Sequence, residues 1–152
     1  GNQQRARSGT MDVAGAVAFA AAAAAIEPDP TAVSALRDRL IAGIQAAVPE
    51  AVLRGDPDDR LPGNAHFTFP GCEGDSLLYL LDAAGFSVST GSACQAGVPE
   101  ASHVLLAMGV PEPEARGALR FTLAASSTSA DIDALIAALP AAVSRASAAG
   151  LA

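Results

Sequence analysis

From Val13 to Ile26 the chain runs for 14 residues without a charged or polar side chain, most of them alanine. Such a stretch must be hidden from water, against the protein or in a membrane. A membrane-spanning helix needs about 20 residues, so this one is too short to cross. Alanine is the strongest helix former, and Asp12 puts an N-cap or first-turn acid just ahead of the run. A buried helix is therefore expected. A secretory leader has a related layout, with Arg5 and Arg7 ahead of the apolar run. Against it stand the absence of leucine in the run, Asp12 at its edge, and no methionine at position 1.

Breakers and periodicity divide the rest. Pro28 and Pro30 end the first helix, and Thr31 is expected to cap the next. There Val33, Leu36, Leu40, Ile44 and Val48 recur at helical spacing, with Arg37, Asp38 and Arg39 toward solvent. Pro49 ends it, and a short strand is expected over 51–54. Gly55 to Arg60 is a solvated turn whose acids lack the spacing of a calcium loop. From Asn64 to Phe69 the pattern alternates, with Ala65, Phe67 and Phe69 on one face and Asn64, His66 and Thr68 on the other, which predicts a half-buried strand. No carboxylate or second ligand accompanies His66 at ligand spacing, so it reads as an ordinary residue of the polar face. Pro70-Gly71 turns into a helix over 73–84, closed by Gly85, and a short strand is expected over 86–89. Ser102 should cap a helix from His103 to Met108. Leu119 to Leu123 is the last strand, with Arg120 and Thr122 on the outer face. A polar turn over 126–129 opens a terminal helix with Ile132, Leu135, Ile136, Leu139 and Val143 inward. The expected division is one unit: a polar entry loop over 1–12, a lead-in helix over 13–27, an α+β domain over 31–145, and a fraying tail over 146–152.

The run Ser89-Thr90-Gly91-Ser92-Ala93-Cys94-Gln95-Ala96-Gly97 has no bulky side chain to hold it in a core, so it reads as an exposed, mobile loop. A thiol there suits a nucleophile or carrier, although a free cysteine is also commonly a small buried hydrophobe. His103 is the imidazole nearest Cys94 in sequence and could pair with it, but a first-turn helix residue is the plainer reading. Cys72 precedes a helix, where Glu73 and Asp75 oppose a thiolate, and reads as structural. Two cysteines are too few for a disulfide framework, and no Cys/His ligand cluster exists for zinc. Reduced thiols in the cytoplasm are the simpler assumption. A net charge of −7 with scattered basic residues argues against nucleic acid and anionic membranes as partners. All nine basic side chains are arginine, so the chain contains no lysine.

Ser89 to Cys94, then Ser102-His103-Val104-Leu105, then Leu119-Arg120-Phe121-Thr122-Leu123 resemble, in that order, the C-terminal part of the cysteine desulfurases. These are pyridoxal-phosphate enzymes related to the class V aminotransferases. Arg7-Ser8-Gly9-Thr10 resembles another of their motifs, and the resemblance runs from about Gly1 to about Ser144. It implies an α+β fold, the small C-terminal domain of a fold-type I pyridoxal-phosphate enzyme, with a small sheet covered by helices. It also implies roles: Cys94 takes sulfur from L-cysteine as a persulfide and leaves alanine, Arg120 clamps the substrate carboxylate, and Thr10 bonds the cofactor phosphate. Implied partners are a large domain or a second subunit, and proteins that accept the sulfur for iron-sulfur cluster assembly. Such enzymes hold pyridoxal phosphate on a lysine, so this chain is expected to be part of an enzyme and inactive alone. Two other readings stay open: a non-catalytic α+β module, secreted or independent, with Cys72 and Cys94 joined, and a remnant domain that binds only acceptors or a large-domain partner.

Overall fold

The alternating stretch forms the middle strand of a three-stranded antiparallel sheet. The computed structural model describes residues 11–25, 30–90 and 101–150. Its elements are α1 (Val13–Ala25), α2 (Pro30–Ala47), β1 (Val52–Arg54), β2 (Asn64–Thr68), α3 (Gly74–Ala83), α4 (His103–Ala107), α5 (Glu112–Arg116), β3 (Ala118–Thr122) and α6 (Ser129–Gly150). The sheet order is β1-β2-β3, with Phe67 opposite Leu53 on one side and Leu119 on the other. The α+β expectation holds.

One face of the sheet carries Ala65, Phe67, Leu119 and Phe121, all at most 1% exposed. Leu40 and Ile44 of α2, Leu77 and Leu81 of α3, and Ile132, Leu135 and Leu139 of α6 complete this core. The helices cover that face because their apolar stripes recur every three or four residues. α6 is long and apolar enough to cross a membrane by length and composition. Its stripe, however, is core packing. A smaller cluster, Leu105, Val110, Ala115 and Ala118, sits on the other side, where α4 and α5 cover one end of the second face.

Helix ends follow local chemistry. Asp12 Oδ1 accepts the Gly15 N–H at 2.9 Å, the expected cap of α1. At α6, Thr128 and Asp131 form a capping box: the Asp131 carboxylate accepts from the Thr128 N–H at 2.8 Å, and Thr128 Oγ1 accepts from the Asp131 N–H at 3.3 Å. The Thr128 hydroxyl, which donates to Asp131 Oδ2 at 2.7 Å, and after it the Thr128 N–H hold the Asp131 carboxyl below the usual carboxylate range.

Several expectations differ from the structure. α1 forms, but none of its residues is buried; its helicity comes from alanine, and nothing in the described part of the chain covers it. Pro30 opens α2 from its first position, where its missing N–H costs nothing, so Thr31 lies inside the first turn. Arg37 is buried rather than solvated, its guanidinium donating to the Leu61 carbonyl at 3.1 Å and to Asp38 at 2.7 Å. This ties the β1–β2 loop to α2. Residues 86–89 make no strand, only a single bridge from Ser89 to Arg120. Ser102 precedes α4 without a side-chain capping bond and is buried. α5 was not expected, though Pro111, Pro113 and two first-turn acids mark its start. α6 continues to Gly150 with Ala146 buried, beyond the point where fraying was expected.

Gly117 joins α5 to β3 where two backbones nearly touch. Its carbonyl accepts the Phe69 N–H at 2.9 Å. A Cβ there would strike the Phe69 carbonyl oxygen and lie 2.8 Å from that of Cys72. Gly117→Ala should therefore destabilise the fold by about 1–3 kcal/mol, because backbone cannot step aside as a side chain can. Urea unfolding of the two forms checks this; equal midpoints would contradict it.

Candidate functional site

The second face of the sheet is polar, and register decides which of its side chains meet. Residues directly opposite in an antiparallel ladder share a face. Arg54 lies opposite His66, His66 opposite Arg120, and Arg120 opposite Ser89, so four positions from four segments form one row. Arg120 donates its N–H to the Ser89 carbonyl at 2.8 Å and accepts the Ser89 N–H at 3.1 Å. Its backbone groups therefore point away from β2. That makes His66 and Arg120 a non-hydrogen-bonded pair, the kind in which the Cα atoms come within about 4.5 Å and the side chains lie closer.

The row's members differ in freedom. Arg54 is fixed: its Nε donates to Thr68 Oγ1 at 2.8 Å and its Nη2 to Glu114 Oε2 at 2.6 Å. Arg120 is exposed and makes no ion pair among the described residues. His66 is half-buried, and its Nε2 is buried without a hydrogen-bond partner among the described residues. Burial, then the positive charges of Arg120 and Arg54, push its pKa below the ordinary imidazole value. The row thus offers one satisfied guanidinium, one imidazole kept uncharged, and one open guanidinium. A planar guanidinium fork can take a carboxylate in two parallel hydrogen bonds.

A cavity of about 340 Å³ opens between this face and α4, lined by Arg54, Arg60, Asn64, His66, Val104 and Met108 among others. Asn64 Oδ1 is also buried and unpartnered among the described residues. In the β1–β2 loop, Asp56 Oδ1 accepts the N–H groups of Asp59 at 2.8 Å and Asp58 at 2.9 Å, which lowers its pKa. The Asp56 carboxylate thus serves the turn, and no group of three or more potential metal ligands occurs among the described residues.

Of the residues singled out in the sequence, Arg120 stands on the open face as expected. Thr10 and Cys94 lie outside the described residues, as does the loop 91–97. His103 is exposed on α4. Cys72 is buried and free, its Sγ donating to the Val143 carbonyl at 3.7 Å. Burial, followed by the charge of Glu50, raises its pKa, the opposite of an activated thiol. Sequence reasoning gave His66 and Arg54 no place beside Arg120. Alternation put His66 on the right face, but only the register shows its neighbours.

Residues 1–135 match the family described as Aminotransferase class-V, and the chain belongs to that family. Among curated relatives, it is 52% identical to the IscS-like cysteine desulfurase of Mycobacterium tuberculosis, covering all of this chain and 40% of that protein. It is 43% identical to the cysteine desulfurase NifS of Azotobacter vinelandii, over 92% of this chain and 36% of that one. The X-ray structure of a NifS-like protein from Rickettsia africae superposes with a TM-score of 0.76 at 28% identity, covering 91% of this chain and 36% of that one. The chain therefore spans about two fifths of the length of these relatives, and it corresponds to their C-terminal part.

The lowered pKa of His66 has a consequence for stability. Above about pH 6.5 the imidazole is neutral whether the chain is folded or unfolded. As pH falls below that value, the unfolded chain takes a proton that the folded one resists, so stability is lost down to the folded pKa. His66→Asn removes this contribution. Urea unfolding at pH 7.5 and pH 5.5 should show a smaller acid loss for His66→Asn than for the parent; equal losses would contradict the assignment.

Proposed function

We propose that this chain is the part of a cysteine desulfurase that bears the sulfur-accepting thiol and the carboxylate clamp. The observation that carries the reading is Arg120: an exposed guanidinium without an ion-pair partner among the described residues, bonded through its backbone to Ser89, five residues before Cys94. Membership of the family and the cysteine desulfurase relatives support it.

In this reading the Arg120 fork takes the carboxylate of L-cysteine and orients the substrate. The Cys94 thiolate attacks the substrate sulfur. A sulfur–sulfur bond forms, the carbon–sulfur bond breaks with its electron pair left toward carbon, and that carbon takes a proton to give alanine. Cys94 keeps the transferred sulfur as a persulfide and passes it to an acceptor protein, for iron-sulfur assembly or other sulfur transfer. Pyridoxal phosphate, when bound, supplies the electron withdrawal that lets the carbon release its sulfur. A chain without lysine cannot anchor that group covalently. Its own contribution would be the Thr10 hydroxyl toward the phosphate, and the anchoring lysine would come from the rest of the enzyme. The setting is the cytoplasm, with thiols reduced. The free, buried Cys72 thiol weighs against a module closed by a Cys72–Cys94 disulfide.

Measurements on the chain alone and on the completed enzyme test the reading. The chain alone should neither form a borohydride-reducible adduct with pyridoxal phosphate nor release sulfide from cysteine. In the enzyme completed by the lysine-bearing domain, Cys94→Ser should abolish persulfide formation, because a hydroxyl is a far poorer nucleophile toward sulfur. Arg120→Ala should weaken cysteine binding by about 2–4 kcal/mol, and Arg120→Lys should recover only part, since an ammonium cannot make the two-pronged contact. Cys72→Ser should leave turnover nearly unchanged. Sulfur transfer that persists without Cys94, or that depends on Cys72, would overturn the assignment.

A further inference from the structure

Each ion-paired arginine among the described residues has its own carboxylate: Arg37 pairs with Asp38, Arg39 with Asp133, Arg54 with Glu114, and Arg116 with Glu73 and Glu112. On a sheet, the natural place for such a partner is the cross-strand position, where opposite charges meet face to face. For Arg120 that position on β2 is held by His66. The pair is the close, non-hydrogen-bonded kind, so an acid at position 66 would stand within reach of the guanidinium. Glu114, which reaches toward this face from α5, is already bonded to Arg54. We propose that His66 takes the cross-strand position where a carboxylate would capture Arg120, and so keeps that guanidinium open for the carboxylate of an incoming amino acid. The inference rests on Arg120 being the carboxylate clamp and makes His66 a positioning residue for it.

The surroundings explain why an imidazole suits the place. Arg54 flanks it from β1 and Arg120 from β3. Across the cavity the β1–β2 loop brings Asp56, Asp59 and Arg60, α4 brings Val104 and Leu105, and Met108 follows at the end of that helix. A lysine would add a third cation to the row, and an aliphatic residue would offer no polar atom to the cavity. A neutral imidazole does neither, and it makes no claim on Arg120 as an anion would. When a carboxylate neutralises Arg120, one of the two charges that suppress His66 protonation is offset, so ligand and proton binding become linked.

The test uses the full-length protein with L-alanine as the carboxylate-bearing probe. Calorimetric titration should show His66→Asp binding the probe about tenfold or more weakly, the cost of competing with an internal ion pair, while His66→Asn stays within about threefold of the parent. In the unsubstituted protein, the His66 imidazole followed by NMR should titrate at higher pH when saturated with L-alanine. That measurement stands even where His66→Asp fails to fold. Parent-like affinity in a folded His66→Asp protein, or a His66 titration indifferent to the probe, would overturn the inference. Arg120→Gln separates the two levels: if it leaves L-alanine binding intact, the clamp reading itself fails. If it abolishes binding while His66→Asp does not weaken it, only the role of His66 falls.

Discussion

The pairing of β2 with β3 is the constraint on which the rest depends, and the aromatic packing of Phe67 holds it in place. The Phe67 ring meets that of Phe121 edge-on, at 6.4 Å between centroids and 74° between planes, and lies 6.2 Å from that of Phe69. The edge-to-face arrangement matches the positive rim of one ring to the negative face of the other. A slip of one residue would turn the core side chains outward and drive Arg120 toward α3 and α6. Burial of Leu119 and Phe121 therefore decides where the guanidinium points, although neither side chain lies on its face.

Charge on the two sides of the molecule is handled differently. Around the helices, arginines serve as fasteners: Arg37 binds the β1–β2 loop to α2, and Arg39 links α2 to α6 through two bonds to Asp133. Exposed pairs such as the latter contribute little to stability. On the polar face, Arg54 reaches along its own side of the sheet to Thr68 and Glu114 and so ties β1 to α5. Arg120 alone in the row stays uncommitted within the described residues. On this polar face, then, one guanidinium is satisfied within the fold and one is left open to an anion.

Much of this was legible in the sequence because period and punctuation are local. The alternation at Asn64–Thr68 and the leucine stripe of α3 both follow directly from residue order. Register is not local: nothing in the sequence says that positions 54, 66 and 120 share a row, so His66 read as an ordinary sheet residue. Arg37 was misplaced for a similar reason, since the carbonyls that draw it inward belong to a loop 24 residues further along. For α1, composition foretold a helix, but burial needs a covering surface, and none of its residues is buried here. Arg120 had a clear face but no distinctive pattern. Its proposed role, like those of Cys94 and Thr10, came from resemblance to a family.

The paired bonds between Ser89 and Arg120 also set a length scale. They fix a post from which the chain runs five residues to Cys94, and a fully extended backbone covers at most about 3.3–3.6 Å per residue, or roughly 17 Å in all. On the far side, Ser102 is buried ahead of α4, eight residues beyond the thiol. The sulfur is thus a tethered weight on two unequal lines, and the shorter is tied to the backbone of the residue proposed to grip the substrate. Whatever route the chain takes between the posts, that leash bounds how far from Arg120 the backbone of Cys94 can lie.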